Sequence, residues 1–340
     1  MASFLSTFEE CQNSFLELAR LSGGELRSFP ISGLSFETLY LPSKTPKNKL
    51  LILTSGIHGI EGYTGSALQR HFLQEKHDDL GILVIHGINP YGFKHFRRVT
   101  EKNVDLNRNF DVSPELFQNT NPGYESVSSF LNPPSRYSRL EFYPKAFANI
   151  LKHGMDNLRK AILRGHYQYP QGIFFGGKAF EPQVSLIRDE VLRVSEGYEK
   201  VLLVDLHTGY GQRGKLHLFG DRSPFIDPAY MQEVFGDLAI DYGQEKDFYS
   251  ITGGFTVFLA KLFHQKAKFA GIVFEFGTID SHKPKGSLES LYRMINENQK
   301  SRTTEDRKDF LEMFYPQDKA WRAKVLMQFE ETLKEILKRI

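Results

Sequence analysis

Cysteine is nearly absent: the 340-residue chain has one, Cys11. A single cysteine builds no disulfide framework and no thiolate cluster, so any bound metal must be held by histidines and carboxylates. An excess of one charge is also missing. The 43 basic and 41 acidic residues are interspersed and leave a formal charge of +2, which gives no support for a nucleic-acid or membrane-surface partner. No apolar run approaches the ~20 residues that a membrane span needs. The first ten residues, Met1 to Glu10, carry no basic region and no sustained apolar stretch, so they do not read as a signal peptide. These absences lead us to expect a soluble, cytoplasmic protein. Forty per cent apolar residues, with aromatics at 13%, suffice for a substantial core. With no internal repeat, low-complexity tract or linker in view, residues 1–340 read as one domain.

What is present follows an α/β pattern. Residues 4–20 have helical apolar spacing, and 26–41 alternate like strands. Leu50–Thr54 is continuously apolar, as a buried strand is. A helix over Thr64–His77 and a second buried strand over Gly81–His86 follow, so these two strands should be parallel. A long irregular stretch runs from Gly87 to about Pro134, the kind of loop that is usually functional. Residues 144–164 read as one long helix, and 185–196 as another. Lys200–Leu206 and Ile272–Phe276 are further buried strands. Residues 318–340 form a helix with one apolar face (Trp321, Val325, Phe329, Leu333, Ile336), expected to dock on the sheet. The expected fold is a single α/β domain with a central, mixed, largely parallel sheet and helices on both faces.

Polar groups sit where these strands end. After Leu50–Thr54 comes Ser55-Gly56-Ile57-His58-Gly59-Ile60-Glu61-Gly62. His58 and Glu61 are three apart between glycines that permit sharp turns, so both side chains can converge on one ion. His207 follows the Lys200 strand, and Glu275 ends the Ile272 strand. Ligands in open α/β sheets gather outside the carboxyl ends of strands. Two histidines, one carboxylate and an open position make a catalytic zinc arrangement, with Glu275 as a separate carboxylate base. Each residue alone has a plainer reading: a hydrogen-bonded structural histidine, or a helix-terminal charge for Glu61. The Gly56–Gly62 loop also resembles a phosphate loop, but His58 occupies the place of the second glycine in the dinucleotide fingerprint. Asp205 lies two before His207 on the same strand face, as its supporting carboxylate or as a ligand to a second metal. His86 reads as structural and His282 as a surface residue, while Tyr210 and Arg213 are candidates to line the pocket.

Five segments together resemble the M14-type zinc carboxypeptidases, most closely the DUF2817 branch. They are Gly56–Gly62, Asn89-Pro90-Tyr91-Gly92-Phe93, Asn103 to Phe110, Asp205-Leu206-His207-Thr208-Gly209 and Phe274-Glu275-Phe276-Gly277. The likeness spans residues 50–280. It implies one Zn2+ held by His58, Glu61 and His207, with Glu275 as general base and Asp105 orienting His58. It further implies that Asn107 and Arg108 bind a substrate carboxylate. Arg97, or its neighbour Arg98, would stabilise the oxyanion, and Tyr249 would close over substrate. The Asp-Leu-His and Asn-Arg motifs are shared with the aspartoacylase and succinylglutamate desuccinylase relatives, although the long separation of Glu61 from His207 suits the carboxypeptidase-like branch better. The expected activity is hydrolysis of an amide bond beside a free carboxylate, in a small peptide or in an N-acyl amino acid. The rivals are a metal-binding protein without turnover and a nucleotide-binding module.

Overall fold

The structure is a computed structural model and describes residues 4–46, 48–242 and 252–340. Its strands are β1 Glu25–Ile31, β2 Leu34–Leu41, β3 Lys49–Ser55, β4 Gly81–His86, β5 Lys200–Gly209, β6 Leu216–Gly220, β7 Ile240–Asp241 and β8 Lys268–Gly277. They form one eight-stranded sheet in the order β1-β2-β4-β3-β5-β8-β6-β7. β4, β3, β5 and β8 run parallel through the centre. Their apolar runs are nearly continuous because parallel strands are covered on both faces. β1 and β2 form a hairpin joined by Ser32 and Gly33, both at positive φ (49° and 79°), as a two-residue turn matched to strand twist requires. β2 and β6 pair antiparallel with β4 and β8, so the sheet is mixed towards its edges.

The helices are α1 Phe8–Ser22, α2 Gly62–Phe72, α3 Pro90–Lys94, α4 Pro122–Leu131, α5 Arg139–His153, α6 Met155–Leu163, α7 Pro182–Ser195, α8 Pro228–Phe235, α9 Phe255–Phe263, α10 Pro284–Glu297, α11 Thr304–Phe314 and α12 Lys319–Leu337. α1, α2, α8 and α12 pack with one another as one layer against the sheet, and α7 packs with α9 as the other. α12 docks as its pattern predicts: Trp321 is buried and its indole donates to the Gly277 carbonyl at 2.8 Å, at the end of β8. Residues from α4, α5, α6, α10 and α11 build a second apolar cluster (Tyr124, Phe142, Leu158, Ile295, Phe310). Among the described residues no helix is long and apolar enough to cross a membrane.

Three stretches depart from the pattern reading. The single helix expected over 144–164 is two helices, because Gly154 adopts φ 80° and turns the chain between α5 and α6. The stretch 87–134 contains α3, α4 and two 3-10 turns, each opened by an Asn, Asp or Ser side-chain cap. β6, β7 and α8 to α11 are elements that the sequence pattern did not mark.

Candidate metal centre

Three parallel strands deliver the site. β3 ends at Ser55, and Gly56 (φ 75°) turns the chain so that His58 caps a 3-10 turn, Gly59–Glu61, leading into α2. Gly59 is needed for contact: a Cβ there would lie 2.2 Å from the Gly92 carbonyl carbon in α3. The turn is pinned to the next loop by Gly59 N–H to Arg98 O (3.2 Å) and Ile60 N–H to Arg97 O (2.9 Å). β5 carries Asp205 and His207 on one face. β8 places Glu275 directly beside His207 in the parallel register.

His58, Glu61 and His207 converge, with one donor atom from each within 4.8 Å of the others. Glu61 spans the two rings, with its oxygens 2.9 Å from His58 Nδ1 and 2.9 Å from His207 Nδ1. The two Nδ1 atoms are 3.2 Å apart. The far nitrogen of each ring faces a carboxylate: His207 Nε2 is 2.6 Å from Asp205, and His58 Nε2 is 3.3 Å from Asp105. At His207 that carboxylate favours the proton on Nε2 and leaves the Nδ1 lone pair for a cation. Two imidazole nitrogens and a carboxylate gathered within reach of one another suit a divalent metal ion. Asp205 is itself fixed by Thr54 Oγ1 at 2.6 Å from β3. Among the described residues this is the one group of histidines, cysteines and carboxylates close enough to hold a metal.

The electrostatics are those of buried charges in close contact. All three are 4% exposed or less. Burial alone would raise the Glu61 carboxyl, but His58 and His207 hold it well below its ordinary range. Burial would lower His207, yet Asp205 and Glu61 push it well above the usual histidine value. Burial likewise opposes the charge on Asp105, and Arg98 and His58 hold it low. Glu275 goes the other way, pushed up to about 8 by burial and then by the charge of Glu61, with His207 opposing. One of its oxygens accepts from the Tyr210 N–H at 2.9 Å. One cleft therefore holds a carboxylate that stays ionised and another that protonates near neutrality.

His58, Glu61, His207 and Glu275 line a cavity of about 420 Å³, shared with Arg98, Asn107, Arg108, Phe174 and Tyr210. Arg98 donates to Asp105 (3.2 Å) and Glu61 (3.3 Å), with Nη2 2.6 Å from His58 Nε2. Its neighbour Arg97 is not brought to the site: it pairs with Glu297 at 2.6 Å and is absent from the cavity wall. Arg98, next in sequence, meets Asp105 and Glu61 and lines the cavity. Asn107 Oδ1 accepts from Phe255 N–H at 3.0 Å, and Arg108 donates to the Leu163 and Asn107 carbonyls. Phe174, held at φ 60°, lies under both Arg98 and Arg108, with ring centroid distances of 5.2 and 5.7 Å. Its place between the arginines was not legible beforehand, though its loop was marked by glycine and aromatic content. The Leu, Ile and Met walls from α6 and α10 were missed, because neither helix connects to the motifs in sequence. Tyr249 lies outside the described residues. His86 is stacked on Phe15 and bonded to Ser66, away from the cavity. Arg213 turns to Asp318 and the Thr278 carbonyl, and His282 is exposed and not in the wall.

A family model described as "Protein of unknown function (DUF2817)" matches residues 4–328. The chain belongs to the DUF2817 family. No functionally curated protein matches it. Among solved structures, this DUF2817 member is similar to carboxypeptidase A from Helicoverpa armigera, at 15% identity over 99% of this chain and 74% of that one, with a TM-score of 0.48. It is similar to a Shewanella amazonensis protein described as a candidate metallopeptidase, at 12% identity over 91% and 94% of the chains, TM-score 0.43. It also resembles the murein-tripeptide amidase of Escherichia coli O157, at 14% identity over 76% and 85%, TM-score 0.36. The site's own geometry, not these likenesses, carries the functional reading.

Proposed function

We propose that the protein is a zinc-dependent hydrolase that cleaves an amide bond next to a free carboxylate. One observation carries the reading: the His58–Glu61–His207 group, the adjacent Glu275 and the side chains of Arg98, Asn107 and Arg108 share one cavity wall. A zinc ion held by His58, Glu61 and His207 would supply Lewis acidity and a bound water of lowered pKa. Asp105 and Asp205 hold the two imidazoles in position. Asn107 and Arg108 are assigned to the substrate carboxylate, for which a planar guanidinium offers parallel hydrogen bonds. Arg98 rather than Arg97 is assigned to the scissile carbonyl oxygen as it gains charge, since its guanidinium faces the cavity. Glu275 takes the proton of the attacking water and passes it to the leaving nitrogen, a task suited to a carboxyl that titrates near neutrality.

The test is a panel of short peptides and N-acyl amino acids, each with a free or an amidated carboxyl end, assayed after zinc reconstitution. Hydrolysis of free-carboxylate substrates, lost on chelation and restored by zinc, is the expected result. Equal turnover of amidated substrates, or activity that survives a chelator, would overturn the proposal. The same panel separates peptidase from deacylase action.

A further inference from the structure

α5 has two apolar faces, and the neighbouring helices bury only one of them. Phe142 and Ala146 fall on the inner side, buried in the second apolar cluster. At ~100° per residue, Leu140, Pro144, Phe147 and Leu151 fall within ~60° of one another on the opposite side. All four are exposed, Leu140 at 89%, Phe147 at 61% and Leu151 at 72%. Among the described residues, Leu140, Phe147 and Leu151 join no apolar cluster and are not in the cavity wall. Seven large apolar side chains are exposed among the described residues, and three of them stand on this one helix. The 4-3-4 spacing of the stripe is that of the a/d seam through which two helices pack.

Single apolar side chains in water are ordinary, but a continuous stripe marks a contact surface. These side chains present on the order of 400 Å² per copy, so two copies facing each other remove ~800 Å² from water. Pro144, Ala148 and the stems of the flanking lysines carry that past the ~1,000 Å² that a specific interface needs. The stripe is also its own complement. Leu140 and Leu151 are equally far from the midpoint between Lys145 and Ala146, and so are Pro144 and Phe147. A two-fold axis through that midpoint sets Leu140 of each copy against Leu151 of the other, and Pro144 against Phe147. Glu141 in the first turn and Lys152 in the last lie on one flank of the stripe, so the same rotation brings opposite charges together at both ends. Arg139 and Lys145 are engaged elsewhere, with Glu289 and the Tyr137 ring. The stripe is thus bordered by one charge of each sign, which suits a copy of itself better than an anionic lipid surface.

We propose that a second copy of this chain covers the outer face of α5, packed antiparallel about that two-fold axis. No residue of α5 lines the cavity, so the interface stands or falls independently of the hydrolase reading. α6, which follows at Gly154, supplies Met155, Leu158 and Ile162 to the cavity wall. The dimer thereby braces the α5–α6 hairpin and, with it, part of that wall.

Sedimentation equilibrium of the full chain, from roughly 1 to 200 µM, reads the dimer directly, with a Kd on the order of 1–50 µM expected for an interface of this size. Phe147→Glu and Leu151→Glu should each weaken it at least ~30-fold. Both positions already face water in the single chain, so thermal melts followed by circular dichroism should match wild type, which separates loss of the contact from loss of the fold. Oxidation of cysteine variants reads the register, since Cys11 is buried and does not compete. Leu140→Cys chains mixed with Leu151→Cys chains should join as disulfide dimers. Neither variant should do so alone, because like positions lie ~16 Å apart along the antiparallel pair, beyond disulfide reach. A chain that is monomeric at the highest concentration, a dimer untouched by Phe147→Glu and Leu151→Glu, or cross-linking of like variants in preference to the mixture would each overturn the proposal. So would a monomer that binds phosphatidylserine–phosphatidylcholine vesicles through Phe147, which would give the face to lipid.

Discussion

Replacing Glu275 by Gln separates the roles of the two central carboxylates. The amide keeps an oxygen for the Tyr210 N–H and is nearly isosteric, so the fold and the His58–Glu61–His207 group should persist. Turnover should fall by ~10²–10⁴, the usual worth of a positioned acid–base group, while zinc content stays near one per chain. A second consequence follows from the raised Glu275 carboxyl. A carboxyl whose folded pKa lies above its unfolded value contributes stability that is fully present below the unfolded pKa and lost as pH rises through the folded one. Here the window runs from the ordinary value of 4.5 to about 8. Gln has no such loss. In the metal-free protein, Glu275→Gln should therefore match wild type near pH 5 and exceed it at pH 9. The gain is on the order of 3–5 kcal/mol for a shift of this size, less whatever solvent in the cavity screens. Urea melts in a chelator at the two pH values read the stability difference, elemental analysis reads the zinc, and the substrate panel reads turnover. Turnover within tenfold of wild type would refute the base assignment. An unchanged stability difference between pH 5 and 9 would refute the electrostatics.

Zinc binding to the metal-free protein at pH 7 should release about one to two protons, because Asp205 and Glu61 hold His207 protonated, and burial with the charge of Glu61 does the same for Glu275. Calorimetry in buffers of different ionisation enthalpy counts them, and no release would contradict the ligand set. Asp205→Ala leaves His207 Nε2 without its 2.6 Å partner and should weaken zinc affinity ~10- to 100-fold, read by competition with a chromophoric chelator. Adjacent arginines should diverge. Arg98→Lys should lower kcat by ~10²–10³ through the lost oxyanion donor. Arg97→Ala should instead lower stability by ~3–5 kcal/mol by orphaning the buried Glu297, with kcat measured on the folded fraction little changed.

The parts of this molecule that were legible in the sequence are those where local pattern and global position coincide. Leu50–Thr54, Gly81–His86, Lys200–Leu206 and Ile272–Phe276 announce themselves because central parallel strands must be apolar on both faces. The chain rule that ligands collect at strand carboxyl ends then points to His58, His207 and Glu275 without any contact being known. The β5–β8 register, which seats Glu275 against His207, turns two separate motifs into neighbours. What stayed hidden depends on relations that no single segment carries. Whether Arg97 or Arg98 faces the cavity is decided by which carboxylate each meets, Glu297 from α10 or Asp105 and Glu61 from the site. The break at Gly154 is one backbone angle inside a good helical pattern. The strand ends make the chemistry readable from sequence because they concentrate it. The rest of the cavity wall is spread over β6, α6, α9 and α10, and can be read only once the sheet has brought them around one cavity.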